Sequence, residues 1–363
     1  MNQITADRRA LHRIPELDRN LPRTMEYLRR TLERLRCTLF SPMPGSLCAW
    51  FDNGADSALA FRSDADALPV QETTGAAYAS QIPGQMHACG HDGHMAILLE
   101  LARRLDQIHT DRNFLLIFQP AEETTGGARD ICESGVFDGK NIQAVFGLHL
   151  WPGLEKGQIA SRRNELMARS CELTVEITGR SCHIARAEEG LDALLAGVEF
   201  VNGAQQIKAG LPENAFHVLG FGRMESGTVR NAVSAHTRLE GTLRAFQDAL
   251  FFGTLDRLKR LAEEIAARTG CRVELTHSQG YPAVMNPPEI CDRVRSAGVD
   301  YAELARPAMT TEDFSWYQQV LPGMFFFLGT GPGPALHAAD FDFDEGVLAA
   351  GADLFEKLAL NYR

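Results

Sequence analysis

Phe114-Leu115-Leu116-Ile117-Phe118-Gln119-Pro120-Ala121-Glu122-Glu123 is the stretch on which the fold turns. An apolar run without a polar break reads as a strand buried on both faces, the mark of a parallel sheet. Leu59–Arg62 and Ala144–Leu148 read the same way. So does Met324–Leu328, which Gly329 closes before a Gly/Pro-rich loop, Thr330–Pro334. Between the first two runs, apolar residues recur at helical spacing over Met95–Ile108, leaving Arg103, Arg104 and Asp106 for water. Strands alternating with helices predict an α/β fold with a mostly parallel sheet. In such sheets functional groups gather on loops beyond the carboxyl ends of the strands. Here those loops carry Glu122-Glu123, His149, His337, and the pair Asp64 and Asp66.

The middle of the chain has a different rhythm. Glu172–Thr178 alternates like a half-exposed strand and Leu191–Ile207 is helical. His217–Phe221 and Thr237–Phe246 are strands, Leu255–Ala267 a helix and Arg272–Thr276 a last strand. The order β-α-β-β-α-β is that of a ferredoxin-like unit. Residues 170–284 therefore read as a domain inserted into a larger α/β domain formed by 1–169 and 285–363.

Composition narrows the functional classes. With 363 residues, 45% of them hydrophobic, the chain can bury a large core. A net charge of −11, with no Lys/Arg-rich run, argues against nucleic acid or an anionic membrane as partner. No apolar stretch approaches membrane-spanning length, and the first residues lack the apolar core of a secretory signal. Eight scattered cysteines suit free thiols in a reducing compartment, so a cytoplasmic location is expected.

His87-Ala88-Cys89-Gly90-His91-Asp92-Gly93-His94 packs one thiol and three imidazoles into eight residues. These are the ligands that borderline-soft divalent metals prefer. The adjacent Glu122 and Glu123 suggest a division of labour. Neighbours in an extended loop point in opposite directions, so one carboxylate can bind metal while the other takes a proton from a metal-acidified water.

Several segments then occur in a familiar order: Arg8–Leu17, Arg62–Pro69, Met86–His94, Phe118–Glu123, Gly147–Pro152, Glu312–Ser315 and Leu336-His337. Together they resemble the amidohydrolase branch of the aminoacylase/carboxypeptidase metallopeptidases, which includes hippurate hydrolases, indole-acetyl-amino-acid hydrolases and N-acetyldiaminopimelate deacetylases. The resemblance implies a two-metal centre held by Cys89, His91, Glu123, His149 and His337, with Cys89 bridging; thiolate with imidazoles suits Zn, and Mn, Co or Ni can occupy such mixed sites. It implies Glu122 as general base and Asp66 as a carboxylate orienting a ligand imidazole. His87 and His94 would then support the motif, and His12 would be structural. Thiolate ligation predicts an oxidation-sensitive Cys89 in the metal-free protein.

The inserted domain corresponds to the family's lid and dimerisation domain, so a homodimer or higher homo-oligomer is expected. Within it, His183 matches an oxyanion-steadying histidine, although Gly179-Arg180-Ser181-Cys182-His183 lacks the family's further glycines. Asn231 matches a substrate-contacting asparagine, and Arg244 is a candidate anchor for a substrate carboxylate. The implied reaction is hydrolysis of a small N-acyl amino acid. An N-acetyl-diaminopimelate deacetylase, a dipeptidase or carboxypeptidase, and an inactive small-molecule-binding homologue are the alternatives.

Overall fold

The computed structural model of the protein describes residues 2–212 and 215–363. The chain divides into two compact units. The first comprises the chain up to Leu166 together with Val284–Pro307 and Glu312–Arg363; the second is Met167–Ala283 with Ala308–Thr311. The last segment departs from the expected 285–363 span. Its backbone joins the second unit because Ala168 N–H donates to Thr310 O at 2.9 Å and Met167 bridges Ala308.

At the centre of the first unit lie four parallel strands in the order Asn113–Gln119, Ala58–Asp64, Ile142–Pro152, Gly323–Gly331. Each of the apolar runs singled out in the sequence lies within one of them, and almost every residue in the four is buried, as a two-faced sheet core requires. The edges are mixed. Leu47–Phe51 pairs antiparallel with Asn113–Gln119, and Thr38–Phe40 continues that edge. Ile159–Ser161 runs antiparallel to Gly323–Gly331 and pairs in parallel with Ala302–Glu303. Because the central four run one way, Asp64, Gln119, His149 and the chain leaving Gly331 share one edge of the sheet. The register, Asp64 opposite Gln119 and Phe327 opposite His149, holds them level.

The helix expected over Met95–Ile108 is His91–Asp106, starting four residues earlier. The reason is Gly90, which turns the chain at φ +86° immediately before the first helical residue. A methyl group built there would sit 2.9 Å from Leu150 Cδ1. The second half of the His/Cys motif is thus the first turn of a helix, with His91 and His94 on one face. That helix packs Met95, Leu98, Leu101 and Leu105 into a core shared with Phe61, Phe146, Leu354 and Phe355.

The second unit is a four-stranded antiparallel sheet in the order Arg272–His277, Arg169–Thr178, His236–Ala245, His217–Ser226. Helices Ala193–Ala209 and Asp248–Thr269 close its core around Phe200, Leu239, Leu243 and Leu258. Numbered within the unit, the strand order is 4-1-3-2, the ferredoxin-like arrangement read from the sequence.

Two predictions follow from these contacts. Gly90→Ala combines a left-handed backbone with a clash on Leu150, so urea unfolding should show a loss of about 1–3 kcal/mol; an unchanged midpoint contradicts the account. His12 ends the helix Gln3–His12. Burial opposes its charge, but the Asp92 and Glu72 carboxylates outweigh burial and lift its pKa from 6.5 to about 9. A raised folded-state pKa contributes stability that is complete below pH 6.5 and lost as pH rises through about 9. Urea unfolding of the metal-free protein across that window should show the loss in wild type and not in His12→Gln; equal slopes contradict it.

Candidate metal centre

Cys89, His91, Glu123, His149 and His337 come from four segments of the first unit and meet at the shared sheet edge. Donor atoms of Cys89, His91 and His149 lie within 4.8 Å of one another, and so do those of Cys89, Glu123 and His337. Cys89 is common to both trios: its Sγ is 3.3 Å from His149 Nε2 and 3.3 Å from His337 Nε2. Glu123 Oε1 lies 3.3 Å from His337 Nε2 and 3.8 Å from His91 Nε2. Cys89 is thus the donor that the two trios share.

Hydrogen bonds assign the imidazole faces. His91 Nδ1 is 2.8 Å from the Asp66 carbonyl oxygen, which only accepts, so Nδ1 carries the proton and Nε2 offers its lone pair. His149 does the same through Nδ1–H to Leu150 O at 2.6 Å. His91 Nε2 and Glu123 Oε1 are buried without a hydrogen-bond partner among the described residues. Burying such donors and acceptors is costly unless something pairs them, and a divalent cation would pair both. His94 differs. Its Nε2 accepts the Leu150 N–H at 2.9 Å and its Nδ1 donates to Asp64 Oδ1 at 2.7 Å, so neither nitrogen remains for a metal. His87 is fully buried, and desolvation pushes its pKa down to about 3.

The acidic pair corrects two sequence expectations. Glu122-Glu123 sits in a turn, not an extended loop, and both carboxylates reach within 4.8 Å of His91. Ala121 at φ +61° re-aims the chain, and Asp66 fixes it. Asp66 Oδ1 accepts the Glu122 N–H at 2.9 Å and Oδ2 the Glu123 N–H at 3.1 Å. The Asp66 carboxylate therefore orients the glutamate turn, while its backbone carbonyl orients the imidazole. The two glutamates differ in company. Burial works against Glu123's charge, but the nearby His337 and His91 imidazoles bring its pKa below the usual value. Burial, then Glu312, Glu123 and Asp313, push Glu122 well above it.

Beneath this pair lies a group the sequence reading passed over. Arg62 is fully buried and bonds Asp313 at 2.7 Å, Asp64 at 3.0 Å, Glu312 at 3.1 Å and Gln119 at 2.9 Å. An arginine inside an apolar strand was the available signal, since a buried charge must find partners. Cys89 is also more enclosed than expected, 6% exposed, and burial with Glu123 and Glu122 pushes its thiol well above the ordinary range. That enclosure runs against the partial exposure on which the expected oxidation sensitivity rests. Bound by Cys89 and its neighbours, a divalent cation would favour the thiolate.

His183, Asn231 and Arg244 belong to the second unit. His183 is exposed and its Nδ1 accepts the Ala185 N–H at 3.2 Å, which leaves Nε2 as the donor of a neutral ring. Ile184 N–H donates to Asn231 O at 3.0 Å, so His183 and Asn231 sit on facing segments. The glycine-poor turn is closed by Arg180, which donates twice to Glu189 O, and by Cys182 Sγ on Arg186 O. Arg244 donates to Met309 O at 2.7 Å, and no carboxylate among the described residues pairs with it.

The sequence profile of peptidase family M20/M25/M40 matches residues 60–361. The chain belongs to that family. It is 34% identical over 377 residues to an uncharacterized hydrolase of Staphylococcus haemolyticus, covering 99% of this chain and 98% of the relative. Its structure is similar to that of Bacillus subtilis YXEP, described as a dinuclear metal binding peptidase of the M20 family (TM-score 0.86, 31% identity, 98% and 96% of the two chains). It is also similar to the fold of an aminobenzoyl-glutamate utilization protein from Klebsiella pneumoniae (TM-score 0.70, 23% identity, 99% and 95% coverage). The chain is an M20 hydrolase with a donor set suited to metal, and no helix among the described residues is long and apolar enough to cross a membrane.

The imidazole assignments have a direct consequence for this M20 hydrolase. His91→Gln should lower the metal content of dialysed, reloaded protein, measured by elemental analysis. His94→Gln should keep the wild-type content while melting at lower temperature. Equal metal loss in both variants contradicts the assignment.

Proposed function

We propose that this M20 hydrolase is an amidohydrolase that cleaves the amide bond of N-acyl amino acids by attack of an activated water. The observation that carries the reading is a division between neighbours. Both carboxylates reach His91, but Glu123 also groups with His337 and Cys89, whereas Glu122 groups with the buried acids Glu312 and Asp313. The five donors Cys89, His91, Glu123, His149 and His337 would hold two divalent ions, drawn from Zn, Mn, Co or Ni. When bound, such ions supply an acidified water and a polarised carbonyl.

The protein's own groups do the rest. Glu122 takes the proton of the attacking water and delivers it to the departing amine. Its acid-surrounded setting favours holding that proton between the two events. Asp66 keeps Glu122 aimed through the backbone N–H it accepts. His183, with Nε2 as donor, is assigned to the oxyanion, Asn231 to substrate contact and Arg244 to a substrate carboxylate.

The second unit is assigned a lid and homodimer role. Leu194, Leu195 and Val198 stand exposed along helix Ala193–Ala209, an apolar stripe that suits a second copy. A thiolate ligand and eight unpaired cysteines suit the reducing cytoplasm.

Glu122→Gln tests the proposal. Elemental analysis should find the variant's metal content unchanged. Turnover on a panel of acetyl, benzoyl and indole-acetyl amino acids and dipeptides should fall by about 10²–10⁴-fold. Near-normal turnover, or dipeptides hydrolysed in preference to every N-acyl amino acid by the wild type, overturns it.

A further inference from the structure

The helix Gln3–His12 takes no part in the proton transfers above, yet it places a cation between two ligand-bearing segments. Arg8 is fully buried. Its Nε donates to Asp92 Oδ2 at 2.8 Å, its Nη2 to Asp342 Oδ1 at 2.9 Å and its Nη1 to Glu345 Oε1 at 3.4 Å. The guanidinium carbon lies 4.5 Å from the Phe343 ring centroid and 4.9 Å from that of Tyr78. Asp92 directly follows His91 at the helix start, and Asp342 belongs to the loop that carries His337.

That loop needs a fixed anchor. His337 sits at φ +68°, a region non-glycine residues rarely adopt, and its side chain is 53% exposed. Little packing holds the ring itself. The loop is held through its backbone and its acids: His337 N–H donates to Ala88 O at 2.8 Å, and Tyr78 hydroxyl donates to Asp342 Oδ2 at 2.7 Å. Arg8 alone among these groups bonds both the His91-bearing helix start and the His337-bearing loop.

We propose that Arg8 is a positioning residue for the metal centre: one planar guanidinium binds Asp92 and Asp342 together and so sets the spacing of His91 from the loop that carries His337. The inference rests on the two-metal reading above. The arms of the fork reach both carboxylates at once, a geometry that the single ammonium of lysine does not reproduce.

Zn²⁺ titrated into full-length metal-free protein against a chromogenic chelator tests the inference, with wild type, Arg8→Lys, Asp342→Asn and His337→Ala compared. Asp342 is partly exposed, so its variant guards against simple failure to fold. Wild type should bind two equivalents. Arg8→Lys and Asp342→Asn should each weaken one equivalent by about tenfold, the lower end expected for supporting residues, and leave the other unchanged. His337→Ala should weaken that same equivalent, and adding Arg8→Lys to it should cost nothing further. The urea midpoint of metal-free Asp342→Asn should stay near that of wild type. Two unchanged equivalents in both variants overturn the inference. So does equal weakening of both equivalents together with a lowered metal-free midpoint, which would mark Arg8 as structural only. Wild type that takes up fewer than two equivalents overturns the metal reading itself, and this inference with it.

Discussion

Too many carboxylates share too few cations at one edge of the sheet, and the rest of the site follows from that imbalance. Arg62 serves Asp64, Glu312 and Asp313 together, and Glu122 and Glu123 lie beside them. Like charges packed away from water raise one another's pKa and favour any cation that can enter. His337 offsets the excess at Glu123, but the two deepest imidazoles do not relieve it as charged groups: burial pushes His149 down to about 3 and lowers His91 as well. Neutral imidazoles with their lone pairs turned inward are instead suited to ligating the cation that the carboxylates attract.

Geometry makes the imbalance useful. Parallel strands bring their carboxyl ends level, so residues as distant in sequence as Asp64, His149 and His337 arrive together. Where the chain bends into the cluster its φ is positive: Gly90 adopts this freely, whereas Ala121 and His337 do so under strain. Such positions persist only when their surroundings hold them. Asp66 holds the glutamate turn through two amides, Leu150 braces Gly90 and His94, and the Arg8 bonds reach the helix start and the last loop.

The architecture was largely legible in the sequence because buried parallel strands leave unbroken apolar runs, as Phe114–Phe118 does. The strand Leu47–Phe51, second from the edge, carries an equally apolar run, Leu-Cys-Ala-Trp-Phe, that is not among the strands read from the sequence. The early start of helix His91–Asp106 was hidden because helical periodicity marks the buried face, whereas the start depends on one glycine's backbone. In the site, the identity of the converging residues could be read from strand ends and resemblance. Their orientations could not. That His94 spends both nitrogens on protein groups, or that Asp66 divides its carbonyl and carboxylate between His91 and the glutamate turn, depends on tertiary hydrogen bonds that no spacing encodes.

The central claim, that a single thiolate lies between two metal-holding trios, is tested most directly by zinc K-edge X-ray absorption of protein loaded with two equivalents. The account expects a sulfur scatterer at about 2.3 Å together with nitrogen and oxygen at about 2.0–2.2 Å, and loss of the sulfur contribution in Cys89→Ser. A spectrum fitted by nitrogen and oxygen alone, or one that Cys89→Ser leaves unchanged, would contradict it.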